Sequence, residues 1–242
     1  MKNTAAMVLV CNDEYWLPYA LEGTRGLFAH YVIYDVGSTD QTSNIIDWFV
    51  ETQKHQSTFF TRVFPEVPHP SVQGTFRNSM IAEGERDWYY LIDGDEVYSE
   101  ESCDALNSFI LSAPHISQLY GVVSRIEYKP NLLRRYADVR THHRLYRKSA
   151  IWKGSHPGEA AVYRQNSSRE FYVYGACCAH FHNLERSSQS DKALKRKDRL
   201  SQKTYHPGEL VETDLLKELP ILQKPIGSFP VAPALKALQD AY

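Results

Sequence analysis

The chain has 242 residues, 43% of them hydrophobic and 12% aromatic, with no apolar run long enough to span a membrane. That composition allows one large domain or two small ones and argues against a disordered chain. The net charge of −2 conceals an asymmetry: residues 1–128 carry 7 Lys/Arg against 18 Asp/Glu, and residues 129–203 carry 17 against 6. One half is suited to holding cations and the other to meeting anions, such as a nucleotide diphosphate or an anionic membrane surface. A nucleic-acid partner is not expected at this overall balance. Cys11, Cys103, Cys177 and Cys178 have neither metal-ligand nor disulfide spacing, and the apolar run at 5–11 is too short for a signal sequence. A cytoplasmic setting is expected, with peripheral contact at the inner membrane face compatible with the basic half.

In chain order, residues 6–11 read as a buried first strand closed by Asn12, Asp13 and Glu14. Leu17, Ala20, Leu21, Thr24 and Phe28 recur at helical spacing and predict a helix to about Leu27. Residues 31–34 form a second strand that ends at Asp35. Ser38 and Gln41 have capping-box spacing for a helix carrying Ile45, Ile46, Phe49 and Val50. A strand at 58–64 precedes a proline-rich loop, and Gly74 opens a helix carrying Arg77. Residues 88–92 are a strand that runs into Asp93-Gly94-Asp95-Glu96, with a helix near 100–111 after it.

This alternation predicts an α/β fold with parallel strands at its heart, in which ligands bind beyond the carboxyl ends of the strands. Three such ends are polar, at Cys11-Asn12, Asp35 and Asp93-Gly94-Asp95, and are expected along one edge. Further strands are expected at 119–128, 140–147 and 171–182. The expected organisation is a domain over 1–205, with a nucleotide-binding half at 1–115 and an acceptor-side half at 116–205. A proline-containing C-terminal tail at 206–242 would carry short helices near 213–219 and 234–241.

Residues two apart on extended backbone face the same way, so Asp93 and Asp95 are expected to converge on one object. Gly94 lets the backbone bend there or come close to a ligand. Paired carboxylates suit a hard divalent ion such as Mg²⁺ or Mn²⁺; an acidic turn at a strand end is the plainer reading. His180 and His182 alternate onto one strand face.

The combination of Val8-Leu9-Val10-Cys11-Asn12-Asp13-Glu14, Asp35-Val36-Gly37-Ser38-Thr39-Asp40-Gln41-Thr42, Gly74-Thr75-Phe76-Arg77-Asn78 and Asp93-Gly94-Asp95-Glu96 resembles family 2 glycosyltransferases of the GT-A fold, over roughly residues 6–205. Arg144-Leu145-Tyr146-Arg147-Lys148, Trp152-Lys153-Gly154 and His180-Phe181-His182, followed by Lys192, Lys195 and Arg199, look like the non-processive bacterial and viral members that decorate polysaccharide or lipopolysaccharide. The Gln-x-x-Arg-Trp signature of processive synthases is absent. The resemblance implies a Rossmann-like, mostly parallel central sheet flanked by helices. It also implies metal-dependent inverting transfer of a sugar from a nucleotide-diphosphate donor, UDP-hexose first, to a saccharide or glycolipid hydroxyl.

The resemblance further implies roles for single residues. Val10, Cys11 and Asn12, with Glu14, flank the nucleoside, and Asp35 accepts a hydrogen bond from the uracil. Arg77 lies near the diphosphate, and Asp93 with Gly94 faces the ribose. Asp95 binds Mn²⁺ or Mg²⁺ together with His182 or His180, His182 being preferred. Related members carry Gly-x-x-His-Glu after the tryptophan, whereas this chain has Gly154-Ser155-His156-Pro157-Gly158-Glu159. Glu159 is the candidate general base, His156 its competitor, and Glu96 a third group to weigh. Two other functions compete. A sugar-nucleotide-forming nucleotidyltransferase would want a glycine-rich basic loop where Asn12-Asp13-Glu14 stands, and a saccharide-binding module would keep the fold without turnover.

Overall fold

A computed structural model of the chain describes residues 3–66, 69–112, 120–128, 132, 134–136, 139–154, 160–162, 170–181, 185–188 and 210–242. Four strands, β1 (Thr4–Val10), β2 (His30–Val36), β3 (Thr58–Phe64) and β4 (Trp88–Ile92), pair in parallel in the order β3-β2-β1-β4. β1 is buried along its whole length because both its faces are covered. Ala6, Val8 and Val10 face the cluster that contains Leu17 and Leu21 of α1 (Leu17–Gly23) and Ile45 and Phe49 of α2 (Thr42–Gln53). Ala5, Met7 and Leu9 face the opposite cluster, which contains Met80 of α3 (Gln73–Gly84) and Trp152. The period-2 alternation of a strand thus fills two cores at once.

The sheet continues from β4 through β8 (Arg140–Arg147), β6 (Tyr120–Glu127) and β11 (Glu170–His180) to β5 (Glu96–Tyr98). β8 is antiparallel to both β4 and β6, β11 is parallel to β6, and β5 is antiparallel to β11. β4 and β5 are neighbours in sequence yet lie four strand spacings apart in the sheet. A flat sheet would separate them by about 19 Å at ~4.8 Å per strand. The chain from Ile92 to Glu96 can reach only about 14 Å. The sheet must therefore curl, and it curls around Asp93–Glu96. The expected mostly parallel sheet flanked by helices is present, with the antiparallel pairings gathered in the curled half. Helix α4 (Glu100–Ser112) follows β5. Two ribbons lie outside the sheet: β7 (Arg134–Tyr136) with β12 (Leu210–Glu212), and β9 (Ile151–Lys153) with β10 (Ala160–Val162).

Two local expectations are corrected and one element is added. The first helix stops at Gly23 rather than Leu27, because the Thr24 hydroxyl turns back to donate to the Ala20 and Leu21 carbonyls and Gly26 takes φ 72°. Ser38 is not the cap of α2. Its hydroxyl accepts from Asn12 N, and Asp40 Oδ1 accepts Thr42 N–H instead, at 2.9 Å. The short strand β5 was not anticipated, since three residues carry no readable period.

The C-terminal residues are part of the core. Helices α5 (Leu215–Glu218) and α6 (Pro233–Ala241) flank a 3₁₀ turn at Pro220–Gln223. Leu215, Leu216, Leu219, Leu222, Ala232 and Leu235 are buried against Trp16, Tyr19, Tyr128 and Phe181. Among the described residues no helix is long and apolar enough to cross a membrane.

Candidate functional site

The loops beyond β1 and β2 are stitched together. Asn12 N donates to Ser38 Oγ at 2.9 Å, Thr39 N to Asn12 Oδ1 at 2.8 Å, and Asp13 N to Thr42 Oγ1 at 2.9 Å. Asn12 takes φ 53°, a left-handed conformation that asparagine tolerates. Asp35 is 0% exposed. Its Oδ1 accepts Ser38 N–H at 3.0 Å, and its Oδ2 accepts the Ser43 hydroxyl. Both oxygens are thus engaged inside the protein, and a base reaching Asp35 would have to share or displace Ser38 or Ser43. Val10 is buried. Burial and the adjacent Asp13 push the Cys11 thiol up to about 12, so it stays protonated. Glu14 joins this edge to residues 187–188, accepting from Gln41 N and Ser188 N.

The third loop is a tight turn, with Glu96 N donating to the Asp93 carbonyl at 3.1 Å. That turn breaks the extended alternation: Asp93 meets Arg144 and Arg77, and Asp95 meets Arg186 and His180. A Cβ on Gly94 would stand 2.8 Å from Asp13 Cγ. The glycine therefore serves the close approach of this loop to the β1 loop.

Asp93 keeps 30% of its side chain exposed and accepts from Arg144 Nη2 of β8 at 2.7 Å. Arg77 Nη2 of α3 lies 3.9 Å from its other oxygen, and its guanidinium covers the Trp152 ring at 4.9 Å. Desolvation pushes the Asp93 carboxyl up, but Arg144 and then Arg77 outweigh it and hold the group far below the usual carboxylate range. Trp152 is fixed to α3 by two hydrogen bonds to Asn78, at 2.8 and 3.0 Å. Trp152 is therefore held beside Arg77.

Behind Asp93, Glu96 is buried with no exposure. It receives Arg144 and the Tyr98 hydroxyl, with His142 Nδ1 at 3.5 Å. Burial raises its pKa, and Arg144 with His142 more than reverses the shift. Burial and Arg144 depress the His142 pKa, so the ring is neutral near pH 7. Glu96 is a structural anchor for Arg144, which corrects its candidacy as a base: an acceptor hydroxyl has no path to it.

Asp95 is 2% exposed. His180 Nε2 lies 3.8 Å from Oδ1, so the structure brings together that expected pair. Arg186 Nη1 lies 3.4 Å from Oδ2, while its Nη2 contacts Asp13 Oδ1. His182, His156 and Glu159 lie outside the described residues. Among the described residues, no group of three His, Cys, Asp or Glu side chains is placed to hold a metal ion. A divalent ion on Asp95 Oδ2 would press against the Arg186 guanidinium. With Arg186 in place, the described donors, Asp95 and His180, do not by themselves fit Mn²⁺ or Mg²⁺.

No protein family model and no curated protein matches the chain. Solved structures match parts of it. S. aureus TarS, in complex with UDP-GlcNAc, is 19% identical over 53% of this chain and 35% of its own, with a TM-score of 0.39. Glucosyl-3-phosphoglycerate synthase from Mycobacterium tuberculosis, in complex with Mn²⁺, UDP and phosphoglyceric acid, is 15% identical over 52% of this chain and 43% of its own, with a TM-score of 0.38. A Bacillus anthracis chain described as a glucose-1-phosphate thymidylyltransferase is 11% identical over 60% of this chain and 72% of its own, with a TM-score of 0.42. The chain spans about a third of the length of the TarS fragment it matches.

Proposed function

We propose that the chain is a glycosyltransferase that takes a nucleotide-diphosphate sugar, UDP-hexose first, and transfers the sugar to a saccharide or glycolipid hydroxyl with inversion. The observation that carries this reading is the edge where parallel strands β1, β2 and β4 end. Loops 11–14, 37–42 and 93–95 meet there, with Arg77, Arg144 and Arg186 arriving from three other segments. The carboxyl edge of a parallel sheet is where such folds take nucleotides. Asp93, held ionised by Arg144, accepts hydrogen bonds only, as a ribose hydroxyl requires. The base is proposed to be Glu159, with His156 as the competitor. The acceptor oxygen bonds to the anomeric carbon, its proton passes to the base, and the bond to the diphosphate breaks. The nucleoside diphosphate leaves carrying the electron pair.

The acidic, glycine-free loop Asn12-Asp13-Glu14 is bonded to Ser38, Thr42 and Gln41, which weighs against a nucleotidyltransferase phosphate loop. A panel of nucleotide sugars, assayed for nucleoside diphosphate release with and without saccharide acceptors, tests the proposal. Release from at least one donor, lost in Glu159→Gln with donor binding retained, is expected. A chain that binds saccharide but releases nothing from any donor is a binding module.

A further inference from the structure

We infer that Arg186 is the built-in cation of this site: it stands on Asp13 and Asp95 where a divalent ion would otherwise be needed, and it presents a guanidinium to the leaving diphosphate. The identity of that anion rests on the glycosyltransferase reading; the place of the cation does not.

The position of Arg186 is imposed by the chain around it. Tyr15 N donates to the Arg186 carbonyl at 3.0 Å, and Trp16 Nε1 to the Glu185 carbonyl at 2.8 Å. Ser188 N and the Ser187 hydroxyl both donate to Glu14 Oε1, at 2.6 and 3.3 Å. Trp16 in turn stacks on Phe181, with ring centroids 4.1 Å apart, and Phe181 N donates to the Asp95 carbonyl at 2.9 Å. Residues 185–188 are therefore tied at four points to the loop that carries Asp13, and Asp95 is tied to the strand end just before them.

Within this frame the two guanidinium ends reach two carboxylates from different loops, Asp13 and Asp95. Gly94 allows those loops to lie side by side. His180 closes the other side of Asp95. The Arg186 side chain keeps 16% of its surface exposed, so the charge is not sealed off. Asp13 and Asp95 drive its pKa further up, against the cost of burial, and the group carries its charge throughout the working pH range. A planar guanidinium held by two carboxylates keeps more donors for phosphate oxygens than an ammonium would, because it starts with five N–H groups rather than three. A divalent ion and this guanidinium cannot both occupy Asp95 Oδ2, since like charges at contact distance repel.

Mn²⁺ uptake, followed by the loss of the free-ion paramagnetic resonance signal, tests the place of the cation without any nucleotide. The full chain is expected to take up no Mn²⁺ with a Kd below about 1 mM. Arg186→Gln, which frees the two carboxylates, is expected to take up one ion, and Arg186→Gln with Asp95→Asn to lose it again. Arg186→Lys keeps the charge on a similar stem and is expected to behave as the parent; it serves as the control if Arg186→Gln does not fold. Uptake by the parent that Asp95→Asn removes overturns the inference. So does the failure of folded Arg186→Gln to take up any Mn²⁺.

Calorimetry with UDP in EDTA then separates the two readings. Binding that survives chelation and weakens by about tenfold or more in Arg186→Gln supports the inference. Binding that requires Mn²⁺ overturns it and leaves the glycosyltransferase reading intact. If UDP binds under neither condition, the nucleotide reading fails and the Mn²⁺ titration still decides the place of the cation.

Discussion

The parallel half of the sheet and its curled half place charge in opposite ways. β1 and β4 are buried and apolar along their lengths, and their ionisable residues wait in the loops beyond. β8, β11 and β5 instead carry charge or imidazole on the strands themselves: His142 and Arg144, His180, and Glu96. The difference follows from geometry. β1 and β4, the inner strands of the parallel half, are buried along their whole length and have no room for charge. The curled half wraps around Asp93–Glu96, so its inner face meets carboxylates that can neutralise a guanidinium. One half supplies the rim of the site, and the other supplies its counter-charges.

The sharpest way to break this division is to remove a counter-charge. Arg144→Met strands Asp93 and buried Glu96 together, and should cost about 3–5 kcal/mol in urea unfolding. Converting the buried partner as well, in Arg144→Met with Glu96→Met, should recover part of that loss, because a paired charge replaced whole is tolerated better than one left alone. An additive double variant would show that the two side chains are not coupled.

The next largest effect tests whether the C-terminal segment belongs to the same core. Leu222→Ala removes a fully buried side chain packed with Trp16, Tyr19 and Phe181. It should cost about 2–5 kcal/mol, measured by the same unfolding transition. A change under about 0.5 kcal/mol, the range of surface substitutions, would mean that the segment is dispensable.

Gly94→Ala probes the seam between the β1 and β4 loops. The added Cβ meets Asp13 atoms at 2.8 Å, so one loop must shift, at about 1–3 kcal/mol. Because the shift moves Asp93 and Asp95, UDP binding should weaken more than stability does. A variant that loses stability but keeps parent-like UDP binding would separate the seam from the site.

The smallest effect is on pH. Glu96 titrates below its ordinary 4.5 in the folded chain. Its contribution is therefore fully present above that value and is lost as pH falls through the lower folded one, because the unfolded chain takes up the proton first. Glu96→Gln should flatten this acid limb of the stability profile; an unchanged limb would assign it to other carboxylates such as Asp93.

The parallel half was legible because its signals are local. Apolar runs end in polar residues at 10–14, 34–37 and 92–95, and the third strand falls at 58–64 as the β-branched and aromatic pattern predicts. The convergence of three strand ends followed from topology alone. The curled half was legible as strands but not as a site. Arg144 and Arg186 look like any other member of a basic stretch until the sheet closes. A usable clue lay in β8, where His142 and Arg144 alternate with Leu145 nearby, an unusual pattern for a strand buried at its centre. At Asp93 and Asp95 a turn intervenes, so their arginine partners could not be read from extended-backbone alternation. The C-terminal segment was read by its prolines, while Leu215, Leu216, Leu219 and Leu222 gave the better signal at i, i+1, i+4 and i+7.

The central claim is that Asp93, held by Arg144 at the edge of the parallel strands, faces the nucleotide of the donor. Calorimetric titration with UDP of the parent and of Asp93→Asn tests it most directly, since the amide keeps the shape and removes the charge. The account predicts micromolar to millimolar binding by the parent, weakened by about tenfold or more in Asp93→Asn. Equal binding by two equally folded proteins would contradict it.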